Sequence, residues 1–119
     1  MKKVYYLSTC DTCKQILKAA GIGADTGFII QNIKIERITG KQLDELKVLA
    51  GSYESLFSRK AIKYRELGLK ERKLTEKEYR HYILEEYTFL KRPVVIIGDK
   101  IFAGGKKKIV DALMTALKS

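Results

Sequence analysis

The chain has 119 residues, a formal net charge of +10, 45% hydrophobic and 32% charged residues, and only one proline. That length and balance fit one folded domain at 1–119 with a real apolar core, and they argue against disorder. No apolar stretch approaches the roughly 20 residues of a membrane span, and no export signal follows Met1, so a cytoplasmic location without membrane attachment is expected. The basic charge favours an anionic partner without choosing among nucleic acid, acidic protein and small oxyanion.

Lys3 to Leu7 reads as a first strand, and Ser8-Thr9 mark a turn or helix start. From Thr12 to Ala20, Ile16, Leu17 and Ala20 share one helical face, with Gly21 as the stop. Phe28 to Ile30, then Ile33 and Ile35, predict a second strand, completing a strand–helix–strand unit that implies a parallel pair.

Thr39 suits the cap of a helix carrying Leu43, Leu46 and Ala50. Thr75 and Glu78 have capping-box spacing, and Tyr79, Tyr82, Ile83, Tyr87 and Leu90 predict the longest helix of the chain. Val94 to Ile97 and Lys100 to Phe102, separated by Gly98-Asp99, predict a tight hairpin. Ile109, Val110, Leu113, Met114 and Leu117 form the buried stripe of a closing helix. The order β-α-β, helices, β-β-α is that of an α/β, thioredoxin-like domain. It has a four-stranded mixed sheet flanked by helices and a helical insertion at about 39–90.

Cys10 and Cys13 are the only cysteines, and Cys10-Asp11-Thr12-Cys13 sits at the junction of the first strand and helix. Unpaired N–H groups and the dipole at a helix start favour a thiolate. Cys10 is therefore expected to be acidified from the free value of about 8.5 and to attack, with Cys13 one turn on as the resolving thiol. Lys14 adds positive charge. A reducing compartment does not sustain structural disulfides, so this pair reads as a redox centre. A zinc site would need further ligands, and the lone His81 on a remote helix does not supply them, so no metal is expected. Inert packing of two free cysteines is the bland alternative.

Three stretches in this order carry a resemblance over nearly the whole chain: V-Y-Y-L-S-T-C-D-T-C, L-F-S-R-K-A-I-K-Y-R-E-L-G-L from Leu56 to Leu69, and L-K-R-P-V-V-I-I from Leu90 to Ile97. Together they resemble the arsenate reductase/Spx family, the ArsC-like branch of thioredoxin-fold proteins. The resemblance implies that Cys10 is the nucleophile, that Arg59 and Arg92 hold an oxyanion or stabilise the thiolate, and that Pro93 is a cis-proline facing the site. Guanidinium chemistry agrees, since the fork binds oxyanions bidentately and lowers a neighbouring thiol's pKa.

The sequence departs from arsenate-reducing members at Tyr6, where they carry a histidine, and at Phe102-Ala103-Gly104-Gly105, where they carry a third arginine. Lys106 is the candidate substitute, although Lys106-Lys107-Lys108 also reads as a solvated charge run. The second cysteine is similar to Spx, whose pair is a switch in a regulator that binds RNA polymerase. Two functions follow. The first is an ArsC-like thiol–disulfide oxidoreductase without a bound cofactor. It acts on a partner protein or a small oxidised or anionic substrate and is restored by glutathione, glutaredoxin or thioredoxin. The second is a redox-sensing regulator that binds the polymerase α subunit. Direct nucleic-acid binding is not expected, because the nine Lys and Arg between Arg59 and Arg80 alternate with Glu66, Glu71, Glu76 and Glu78.

Overall fold

The computed structural model of the chain describes residues 1–23 and 25–118. Contacts divide it into two compact units, one from residues 1–37 and 92–119 and one from Ile38–Lys91.

The first unit holds β1 (Lys2–Tyr6), α1 (Asp11–Ala19), β2 (Ile29–Asn32), β3 (Val94–Ile97), β4 (Lys100–Ala103) and α5 (Lys107–Leu117). Its strands form one mixed sheet in the order β2-β1-β3-β4. β1 runs parallel to β2 and antiparallel to β3, and β3 and β4 form the antiparallel hairpin expected from Gly98-Asp99. Gly98 takes φ +64, the positive value that the first position of a tight primed hairpin turn needs.

Val4 and Val95 are cross-strand partners, and both are fully buried in a cluster with Ile16 and Leu17 of α1 and Leu113 of α5. α1 and α5 therefore cover the same face of the sheet. Burying a side chain such as Leu113 contributes about 2 kcal/mol toward that packing. α5 is anchored less broadly than its stripe suggested. Only Leu113 is buried, while Val110 and Leu117 are partly covered.

β2 is shorter than the apolar run from Phe28 to Ile35 predicts. It lies at the sheet edge with one strand neighbour, so Ile29 and Ile30 need not be enclosed and are exposed. Ile35, 84% exposed, lies in the turn that follows. The buried residue of this strand is polar: the Gln31 side-chain amide donates to the carbonyl of Glu36 at 3.0 Å and so ties that turn down.

The second unit contains α2 (Gly40–Ala50), α3 (Ile62–Glu66), α4 (Glu76–Glu85) and three single 3-10 turns at Glu54–Leu56, Leu69–Glu71 and Tyr87–Phe89. Capping boxes start both longer helices, with Thr39 and Gln42 on α2 and Thr75 and Glu78 on α4. Each box satisfies two otherwise orphaned N–H groups. Phe57 is fully buried, stacked on Phe89 and edge-on to Tyr79, both at 4.9 Å between centroids.

α4 is not the longest helix, and Tyr87 and Leu90 are not on it. Glu86 leaves helical geometry at φ −136, ψ 112. The following chain then bonds sideways instead: Ser58 N–H donates to Phe89 O at 2.6 Å, Lys91 N–H donates to Leu56 O at 2.8 Å, and Phe57 bridges Leu90.

Candidate active site

Cys10 is the N-cap of α1, with φ −99 and ψ 105, and the helix begins at Asp11, one residue before the Thr12 expected from the sequence. Its amide donates to Leu7 O at 3.0 Å, closing the turn out of β1, and its carbonyl accepts Lys14 N–H at 3.1 Å. Cys10 is half-buried and Cys13 fully buried, and both are free thiols. Position explains the difference. The cap residue stands at the mouth of the helix, whereas Cys13 joins Ile16 and Leu17 on the buried face.

Burial pushes the Cys13 thiol up to about 11. A backbone hydrogen bond with Leu7 and the positive charge of Arg92 act in the opposite direction, while the neighbouring Cys10 raises it further through its charge and through a hydrogen bond between the two side chains. The pair is thus in contact while reduced. Near neutral pH Cys13 is protonated, and its S–H is placed to donate to the Cys10 sulfur.

Arg92 is half-buried with its Nε closed off from solvent, and the Arg92–Pro93 bond is cis. Pro93 O accepts Gly104 N–H at 2.9 Å, linking the entry of β3 to the exit of β4. A Cβ at Gly105 would meet Ile16 Cδ1 at 3.2 Å, Thr12 Cγ2 at 3.5 Å and Arg92 O at 4.0 Å. The chain after the hairpin is therefore fitted closely to the first turns of α1 and to the Arg92 backbone. Lys106, the next residue, is the exposed N-cap of α5, and its carbonyl accepts from Ile109 and Val110. Lys107 is paired with Asp111 at 2.8 Å and Lys14 with Asp11 at 3.6 Å, both exposed to solvent.

The first unit thus gathers Cys10, Cys13, Arg92, Pro93 and the approach to Lys106. Arg59 belongs to the second unit. There its guanidinium donates to Glu54 Oε2 at 2.8 Å and to the Tyr79 hydroxyl at 3.0 Å, and it lies over the Tyr79 ring. Burial works against its charge, but hydrogen bonds with Glu54, Tyr64 and Tyr79 outweigh that and raise its pKa.

Asn32, at the end of β2, was not marked by any sequence signal. Its Oδ1 accepts Ser8 N–H at 3.3 Å and Lys34 N–H at 3.2 Å, holding the loop that carries Cys10 against the neighbouring strand. Glu54 carries no sequence signal either, because a five-residue spacing to Arg59 follows no helical or strand period. Tyr6, at the position of the missing histidine, is partly buried against the α1–α5 cluster. His81 is exposed and lies 3.9 Å from Glu85. Among the described residues, no three His, Cys, Asp or Glu side chains gather as a metal site would require, and no helix is long and apolar enough to cross a membrane.

A mixed sheet in this order, with a cysteine pair at the β1–α1 junction and a cis-proline entering β3, defines a thioredoxin-like α/β protein. The sequence model of the ArsC family matches residues 5–113, and the chain belongs to that family. Among solved structures it is similar to a YffB protein, at 22% identity and TM-score 0.77 over 98% of this chain and 99% of the other. It is also similar to an arsenate reductase from Vibrio cholerae, at 16% and 0.74 over 96% and 95%. An arsenate reductase-related protein from Brucella melitensis matches at 23% and 0.68 over 93% and 92%. Comparison with curated protein sequences gave no match.

Proposed function

We propose that the chain is a thiol–disulfide oxidoreductase of the ArsC family in which Cys10 is the nucleophile and Cys13 the resolving thiol. The observation that carries this reading is the buried, protonated Cys13 hydrogen-bonded to the more accessible Cys10 at the start of α1. Cys10 is the sulfur a substrate can reach, and the Cys13 S–H lies beside it.

In the first step the Cys10 thiolate attacks one sulfur of a substrate disulfide. A Cys10–substrate disulfide forms, the substrate S–S bond breaks, and the departing thiolate takes a proton from solvent. Cys10 then no longer carries charge or accepts the Cys13 proton, so of the causes that raise the Cys13 pKa only burial, the largest, remains, opposed by the Leu7 hydrogen bond and the charge of Arg92. Cys13 gives up its proton, attacks the Cys10 sulfur and releases the second substrate thiolate, which is protonated. The dithiol loses two electrons to the substrate and ends as the Cys10–Cys13 disulfide. An external thiol, glutathione or a reduced glutaredoxin or thioredoxin, restores it.

Arg92 keeps the developing thiolates in a positive field. Arg59 is assigned an anion-binding part on its motif match alone. Lys106 is the candidate that stands where the third arginine of arsenate-reducing members would be, and reduction of an oxyanion is not part of this proposal. Turnover of a small disulfide substrate with a regenerating thiol tests the reading. Cys10→Ser is expected to abolish turnover and Cys13→Ser to stop it after one mixed disulfide. Wild-type turnover by Cys10→Ser would overturn it.

A further inference from the structure

We propose that a cavity within the second unit binds a small organic anion, one with a compact apolar body and a single carboxylate or phosphate head group. The cavity has a volume of about 310 Å³, at the lower end of the range for small-molecule sites. Arg59, Arg72 and Lys73 supply three cations to its wall, and Tyr64, Tyr79 and Leu69 supply aromatic and apolar surface. The one lining carboxylate, Glu54, is already paired with Arg59 at 2.8 Å. Arg72 is likewise paired with Glu78, which is not part of the wall, so the excess positive charge is that of Lys73, and it disfavours a cation.

The apolar side is preformed. Leu69 and Tyr79 are buried, and the Tyr79 and Tyr64 rings sit edge-on to Phe57 at 4.9 and 6.0 Å. Arg72 is oriented from outside the cavity, donating to Glu78 at 2.6 Å and to the Tyr82 hydroxyl at 3.1 Å. A guanidinium has more donors than those two bonds use, so Arg72 can receive an anionic head group without reorganising. A bare inorganic ion would leave the tyrosine and leucine surface unused, and the volume limits the body to roughly one ring or its aliphatic equivalent. Every lining residue belongs to the second unit; Arg59 alone among them also has a part in the proposed thiol chemistry, so the test rests on Arg72 and Lys73, which have none.

Amide chemical-shift titration of the full chain, with phenyl phosphate, benzoate, benzylamine and inorganic phosphate as probes, tests the site. Saturable shifts across 69–74 and 79 are expected with phenyl phosphate, benzoate or both, and the probe that binds more tightly identifies the head group. Benzylamine is expected to give none. Arg72→Gln and Lys73→Gln are each expected to weaken binding about tenfold, the scale of one charge-assisted hydrogen bond. Lys73→Gln carries the test if Arg72→Gln perturbs the fold. The proposal is overturned by absence of saturable shifts with both aromatic anions. It is equally overturned if inorganic phosphate binds as tightly as phenyl phosphate, or if both folded variants bind like the wild type.

Discussion

The Cys13 thiol is hydrogen-bonded to Cys10 across the first turn of α1, and burial holds its pKa near 11. The two sulfurs of the pair are therefore inequivalent before any substrate arrives. One is half-buried at the mouth of the helix, and the other is enclosed and protonated.

That asymmetry has a pH signature in the reduced protein. Iodoacetamide at pH 8 is expected to alkylate Cys10 and spare Cys13, as read by peptide mass mapping. For stability the sign follows from proton uptake. Between the ordinary 9.0 and about 11 the folded chain retains a proton on Cys13 that the unfolded chain has lost. Folding stability from this group is thus fully present below 9.0 and declines as pH rises through 11. The decline is on the order of 2 kcal/mol in chemical denaturation, and it is expected to vanish in Cys13→Ala.

Asn32 is expected to matter for the same centre although it touches neither sulfur. Its carbonyl oxygen is the acceptor for the Ser8 amide in the turn before Cys10. Asn32→Ala leaves that amide without its acceptor and is expected to destabilise the chain by about 1 kcal/mol. Hydrogen exchange at Ser8 should accelerate, while amides of β3 are unchanged.

Gly105 is expected to be sensitive to size. An added Cβ would press on Ile16 Cδ1 at 3.2 Å, a contact that a small side-chain shift relieves, so Gly105→Ala should cost about 1 kcal/mol or less. Gly105→Val brings two further methyl groups toward Thr12 and the Arg92 backbone, and overpacking of that kind costs about 1–3 kcal/mol. Thermal unfolding of the two variants should show that order, with slower resolution of a Cys10 mixed disulfide in Gly105→Val.

Much of the first unit was legible because its signals are local. Gly98-Asp99 fixes the hairpin, and the apolar runs around Val4 and Val95 mark two strands of the sheet. The cysteine pair could be placed at a helix start from Ser8-Thr9 and the stripe of Ile16 and Leu17 alone. What could not be read depends on neighbours distant in sequence. Ile29 and Ile30 look like core residues, but only the sheet order reveals β2 as an edge where such residues stay exposed. Tyr87 and Leu90 continue the periodicity of α4, yet the segment around Phe57 draws the backbone of Phe89 and Lys91 into other hydrogen bonds. Arg92, whose charge acts on Cys13, could be named from its motif, whereas Asn32 and the Glu54 partner of Arg59 are tertiary or irregular contacts without a sequence pattern.

Mapping the disulfides formed with glutathione disulfide, by mass spectrometry of wild type and of Cys13→Ser under acid quench, tests the order of events at the pair most directly. The expected result is a Cys10–Cys13 disulfide in the wild type and a stable glutathione adduct on Cys10 alone in Cys13→Ser. A lasting adduct on Cys10 in the wild type, with no intramolecular disulfide, would contradict the resolving role of Cys13. An adduct on Cys13 in the wild type would contradict the assignment of Cys10 as the attacking sulfur.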